Sequence, residues 1–116
     1  MTLQEFYEAV GGNYEESMRR LMNDTIARRF LVKFLDAEDY PKMVEAFENK
    51  DYDNAFLYSH NLKGVALNLG MDALGNAAGE LCETVRGGKE PVPYPDALLE
   101  QVGDEYRRAT EAIRCL

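Results

Sequence analysis

Apolar residues recur along this chain at intervals of three and four, and no stretch sustains the two-residue alternation of a half-buried strand. The spacing predicts an all-α protein. Thr2-x-x-Glu5 has the form of a capping box ahead of Leu3, Phe6 and Val10, and Gly11-Gly12 ends that short first helix. Asn13 begins a second segment with Met18, Leu21 and Met22 on its inner side. Asp24 caps or bends the chain into a more apolar helix carrying Ile26, Ala27, Phe30, Leu31, Phe34 and Leu35. Pro41 opens the next helix, through Met43, Val44 and Phe47, and Asn49-Lys50-Asp51 closes it. A helix from about Asp51 to Leu69 stops at Gly70, and another from about Met71 to Arg86 stops at Gly87-Gly88. So short a connection makes these two an antiparallel hairpin. The proline-rich stretch 87–95 is the one linker, and Leu99, Val102, Tyr106, Ala109, Ile113 and Leu116 form the stripe of a last helix. The expected architecture is an antiparallel four-helix bundle with additional short N-terminal helices, a single domain over residues 1–116.

Charge and composition narrow the function. With 13 Lys+Arg against 21 Asp+Glu the net charge is −8, a balance opposed to nucleic-acid binding and to anionic membrane surfaces. Cys82 and Cys115 are too few for a disulfide scaffold and have no metal-ligand spacing, so both are read as reduced. One histidine and two scattered cysteines do not build a three-ligand zinc site. Counting leaves carboxylate-only magnesium or calcium sites open, but no Asp-x-Asp-x-Asp-Gly loop supports one, and no metal or cofactor of its own is expected. The N-terminal Met-Thr-Leu-Gln-Glu-Phe lacks a basic n-region and an apolar run, and no apolar stretch reaches the ~18 residues of a membrane span. A cytoplasmic protein is expected, and a monomer, since one bundle uses all the apolar stripes.

His60 is the only histidine. On a helical wheel with His60 at zero, Ala55, Tyr58, Leu62, Val65, Ala66 and Leu69 fall between about 140° and 240°, which makes that stripe the buried face. His60 then points away from the core, with Asp53, Phe56, Leu57, Lys63, Gly64 and Leu67 within about 60° of it. Phe56 and Leu67 would normally be polar on a solvated face. They mark either a docking surface or a strip that another helix, the first for example, covers. Lys63, one turn after His60, can reach a group attached to the imidazole, and its charge would offset the ~−2 of a phosphoryl group. Gly64, also one turn away, costs the helix about 1 kcal/mol relative to alanine, which makes sense where a reactant must come close. Neutral imidazole is a nucleophile near pH 7. His-Lys-Gly at zero, three and four is therefore a candidate site for a transferable anion.

At these residues the chain resembles the histidine-containing phosphotransfer (HPt) domain of two-component phosphorelays. Ser59-His60-Asn61-Leu62-Lys63-Gly64-Val65-Ala66-Leu67-Asn68-Leu69-Gly70 matches the family's His-x-Leu-Lys-Gly pattern and its Leu-Gly at the helix end. Leu74, Ala77, Ala78 and Leu81 fit its packing positions on the following helix. The resemblance covers Asp51 to Arg86 well and elsewhere rests on helix order. It implies a helical bundle with His60 as phosphoacceptor, Lys63 stabilising phosphoryl charge and Gly64 giving steric clearance. It implies docking to response-regulator receiver domains, and to a hybrid sensor histidine kinase in some pathways, with Mg2+ held by the partner receiver. Ungapped matching puts Cys82 where many members carry a polar side chain, often glutamine, near the histidine. A thiol is a weak hydrogen-bond partner, which leaves Asn76, Glu83, Arg86 or water in that role. A catalytic thiol at Cys82 is disfavoured, because no second histidine exists to activate it.

Two function classes follow. One is a phosphocarrier that docks receivers through Asp53, Phe56, Leu57 and Leu67 around His60. The other is an adaptor that docks receivers or kinases without transferring phosphate. The chain has no Gly-x-x-x-x-Gly-Lys loop and no room for an ATP-binding domain beside the bundle, so a partner must supply the phosphate. The acidic residues are spread over the helices and read as solubilising charge rather than as carboxylate chemistry.

Overall fold

A computed structural model describes residues 1–116. Seven α-helices follow one another: α1 (Leu3–Ala9), α2 (Tyr14–Leu21), α3 (Asp24–Phe34), α4 (Asp39–Glu48), α5 (Tyr52–Asn68), α6 (Asp72–Thr84) and α7 (Asp96–Arg114), with a single 3-10 turn at Arg86–Gly88. The molecule is elongated, 41 × 22 × 20 Å. The chain is all-helical, and no helix is long and apolar enough to cross a membrane.

Local chemistry accounts for the helix ends. Thr2 and Glu5 form the reciprocal capping box, with the Glu5 amide on Thr2 Oγ1 at 3.1 Å and the Thr2 amide on Glu5 Oε1 at 2.9 Å. Asn13 and Asn23 accept from the amides of Glu16 and Ile26, so the cap of α3 is Asn23 and not Asp24, which is already helical. Helix α4 begins two residues before Pro41. The ring falls within the first turn, where its missing N–H has no intrahelical carbonyl to lose. Asp51 caps α5 through the Asn54 amide at 3.3 Å.

α5 ends in a Schellman turn: the Met71 amide returns to Ala66 O at 2.9 Å and the Gly70 amide to Leu67 O at 3.1 Å, with Gly70 at φ +82°. That turn folds α6 straight back along α5. Three contacts in descending order show the antiparallel pairing: Cys82 against Phe56, Gly79 against Lys63, and Gly75 against Leu67. α4 lies along another side of α5 and α7 along α6. Tyr106 of α7 stacks on Tyr40 at 4.0 Å and meets Phe34 at 5.9 Å, which brings the last helix against the α3–α4 side. The 87–95 stretch is fastened to the bundle, with Pro91 and Pro95 buried and Tyr94 edge-on to Phe47.

One core of 24 buried residues runs from Leu3, Phe6, Tyr7 and Val10 in and just after α1 to Ile113 in α7. Burial of a side chain such as Leu62, 1% exposed, contributes roughly 1.5–3 kcal/mol. α1 and α2 close one end of α5. The Tyr7 hydroxyl donates to Leu69 O at 2.9 Å, and Arg20 donates to Leu67 O at 2.6 Å and Asn68 O at 3.3 Å, placing a cation on the negative end of the helix dipole. Burial raises the Tyr7 phenol above its ordinary range. Tyr7→Phe should therefore cost about 1–2 kcal/mol in urea unfolding, because it leaves the Leu69 carbonyl without its donor in a site that excludes water.

Met22, Tyr58 and Val65, expected inward, are corrected. Met22 ends α2 at φ 80° and is 76% exposed, since the chain reverses there before α3. Phe30 is 44% exposed on the outer side of α3. On α5 the buried set is Ala55, Ser59, Leu62, Ala66 and Leu69, while Tyr58 and Val65 are only half-buried. The core face is thus rotated toward Ser59, which enters it because its hydroxyl is satisfied by Ala55 O at 2.7 Å and Phe56 O at 3.1 Å.

Candidate functional site

α5 carries every residue singled out around the histidine, and α6 decides how each is presented. His60 stands at the ninth of seventeen positions in the helix, exposed, and makes no hydrogen bond to a neighbouring element. Its ring stacks on Phe56 one turn earlier, with centroids 5.9 Å apart and planes 19° from parallel.

Gly64 is exposed, and a Cβ built on it meets nothing within 4 Å. Nothing inside the molecule requires a glycine there. Lys63 behaves differently. Its side chain lies across α6, with Cδ and Cε 3.3 and 3.4 Å from where a Cβ on Gly79 would stand. That residue is half-buried along its stem and belongs to none of the five ion pairs, so its ammonium is uncommitted. It borders a polar groove of about 470 Å³ between α5 and α6, together with Asn76, Glu80 and Glu83.

The four positions expected to dock a partner separate into two kinds. Leu57 is 46% exposed and Asp53 is exposed, close to Gly88. Phe56 and Leu67 are half-buried, which fits the covered strip better than a fully open docking surface. Leu67 is covered by α6, and Phe56 by Arg86 in the turn that follows α6. Leu67 presses on Gly75, where a Cβ would sit 2.5 Å from its methyl, and Phe56 lies under the Arg86 guanidinium at 5.7 Å. Glycines at 75 and 79, one turn apart, let the two helices approach this closely. Asp53, Leu57, His60 and Gly64 are the exposed part of the face.

Cys82 is 3% exposed, with its sulfur 3.8 Å from Phe56 O. Of the three polar groups considered for its place, Glu83 and Arg86 are engaged with each other, Arg86 Nε donating to Glu83 Oε2 at 2.8 Å. This hydrogen bond holds the Glu83 carboxyl below its ordinary range, with the Lys63 charge adding to the effect. Asn76 lies exposed on the groove wall. The Phe56–His60 stack was not singled out from the sequence, although the i, i+4 spacing of two rings was the signal for it.

The arrangement offers one exposed imidazole on a rigid helix, an uncommitted ammonium one turn away and an unobstructed approach beside it. That suits a nucleophile meeting an anionic centre carried by another molecule. Among known protein families, the chain matches a family model for the Hpt domain over residues 31–112. No curated protein and no solved structure matches it.

Proposed function

Because the chain belongs to the Hpt domain family, whose members act in phosphotransfer within two-component signalling, we propose that residues 1–116 form a phosphorelay intermediate that cycles through phosphohistidine at His60. A ring nitrogen of His60 gives its lone pair to the phosphorus of an aspartyl phosphate on a receiver domain. The N–P bond forms, the P–O bond to the aspartate breaks, and the carboxylate leaves with that electron pair. The imidazolium so formed exchanges its remaining N–H proton with solvent, and the reverse steps deliver the phosphoryl group to an aspartate on a second receiver. The supporting observation is the lone histidine exposed at mid-helix, with Lys63 uncommitted and Gly64 open beside it.

Each side chain has a distinct part. Lys63 neutralises phosphoryl charge, Gly64 admits the receiver's backbone, and Leu57 and Asp53, with the exposed edges of Phe56 and Leu67, form the docking rim. Transfer of this kind is mostly positioning and charge neutralisation, and the receiver brings Mg2+. The chain is a reactant and docking platform rather than a kinase.

Incubation with a phosphorylated receiver and magnesium tests the reading: phosphate should leave the receiver, appear on this chain as an acid-labile adduct, and pass to a second receiver. Stable binding with no movement of phosphate would establish the adaptor instead. Gly64 supplies a sharper check. Gly64→Ala should fold as well as the native chain or gain up to about 1 kcal/mol, since the helix gains propensity and no atom is displaced. Gly64→Leu should slow transfer from a receiver at least about tenfold, a modest estimate for a reacting centre held away from its attack distance. Unimpaired transfer in Gly64→Leu would refute the clearance role.

A further inference from the structure

We propose that Phe56 is a positioning residue for His60, fixing the reactive imidazole by stacking where no hydrogen-bonding side chain does so. The idea rests on His60 being the phosphoacceptor and concerns how its ring is held. An exposed histidine on a helix samples several χ1 and χ2 states, and only some present a ring nitrogen to an incoming phosphorus. Here the ring lies nearly parallel to Phe56, within the 4.5–7 Å range of offset aromatic pairs.

Phe56 can serve as a platform because it is itself held on several sides. It is half-buried against α6, and the Arg86 guanidinium lies over its ring at 5.7 Å. Arg86 is in turn anchored by Glu83, and the Cys82 thiol points at the Phe56 carbonyl at 3.8 Å. The Phe56 ring therefore meets both the guanidinium from the turn after α6 and the imidazole of the reactive residue. Cys82, small and buried, lies against the Phe56 backbone carbonyl and makes no hydrogen bond to the imidazole that would orient it. The half-burial of Phe56 also fits a support better than a free docking residue.

Potassium phosphoramidate separates the two roles, because it phosphorylates histidine without using a protein docking surface. Phe56→Leu keeps apolar cover over α6 and removes the ring; Phe56→Tyr keeps the ring. Acceptance of phosphate from phosphoramidate should be about two- to tenfold slower in Phe56→Leu, the range an aromatic pair energy would give, and near native in Phe56→Tyr. Since His60 is the only histidine, its imidazole protons are unambiguous in NMR spectra. They should show nuclear Overhauser contacts to the Phe56 ring in the native chain, and their signals should move in Phe56→Leu. Absence of those contacts in the native chain, a native rate with phosphoramidate in Phe56→Leu, or slowing confined to receiver donors would overturn the proposal. Should Phe56→Leu fold poorly, Phe56→Met serves the same comparison, and the contacts in the native chain need no variant. Failure of the native chain to accept phosphate from a receiver, with phosphoramidate labelling intact, would instead count against the relay reading.

Discussion

Replacing His60 with glutamine should abolish phosphate acceptance from a receiver while leaving the fold in place. The amide of glutamine has no nucleophilic lone pair comparable to an imidazole nitrogen, and no second histidine can take over. Label on the variant should therefore fall to background rather than by a modest factor. The structural cost is small. The His60 side chain is exposed and accepts or donates no hydrogen bond to another element, so only its stack on Phe56 is lost. A stability change under about 1 kcal/mol is expected from unfolding curves. A variant that still carries acid-labile phosphate would place the acceptor elsewhere.

Gly70→Ala should produce the largest loss of stability. Gly70 holds φ +82° at the end of α5, a conformation that costs an L side chain about 1–2 kcal/mol. A Cβ there would also lie 2.2 Å from Ser17 Oγ and 2.7 Å from Tyr7 Cε1. Neither neighbour can swing away: Ser17 is 2% and Tyr7 0% exposed, and Tyr7 is tied to Leu69 O. Gly12 faces the same turn, where its own Cβ would stand 2.0 Å from Gly70 O, so the backbones of the α1–α2 and α5–α6 connections touch. Overpacking of such a site adds about 1–3 kcal/mol, giving a total of about 2–5 kcal/mol. The urea midpoint should fall accordingly with the slope unchanged. A midpoint within a few tenths molar of native would show that the turn can relax in a way its packing does not suggest. The contrast with Gly64 is instructive: both glycines bracket the same stretch of α5, yet the fold needs only the one at 70.

Much of this architecture is written in local signals. The capping box at Thr2–Glu5, the Asn13 cap, the glycine stop at 70 and the period of three and four fix where helices begin, end and face, because each acts within one turn of chain. The exposure of His60 followed from the same periodicity. Less legible was anything decided by a neighbouring helix. Ser59 lies outside the apolar stripe of the wheel, yet it is buried because its hydroxyl is bonded to the backbone of its own helix. Phe56 and Leu67 read as either a docking surface or a covered strip, because the wheel of α5 contains no term for α6, and the small residues that bring α6 so near, Gly75 and Gly79, lie in a different segment. The half-burial of Lys63 against Gly79 has the same origin. The engagement of Arg86 with Glu83 and Phe56 likewise depends on where α6 ends relative to α5.

Phosphorus-31 NMR of the chain after exposure to a phosphorylated receiver and magnesium addresses the phosphoryl shuttle most directly. A single new phosphorus signal of the N–P type should appear, lost on mild acidification, with the accompanying shift confined to the imidazole of His60 among the side chains. A receiver that binds the chain but loses its phosphate only to water, or a phosphorus signal borne by any residue other than His60, would contradict it.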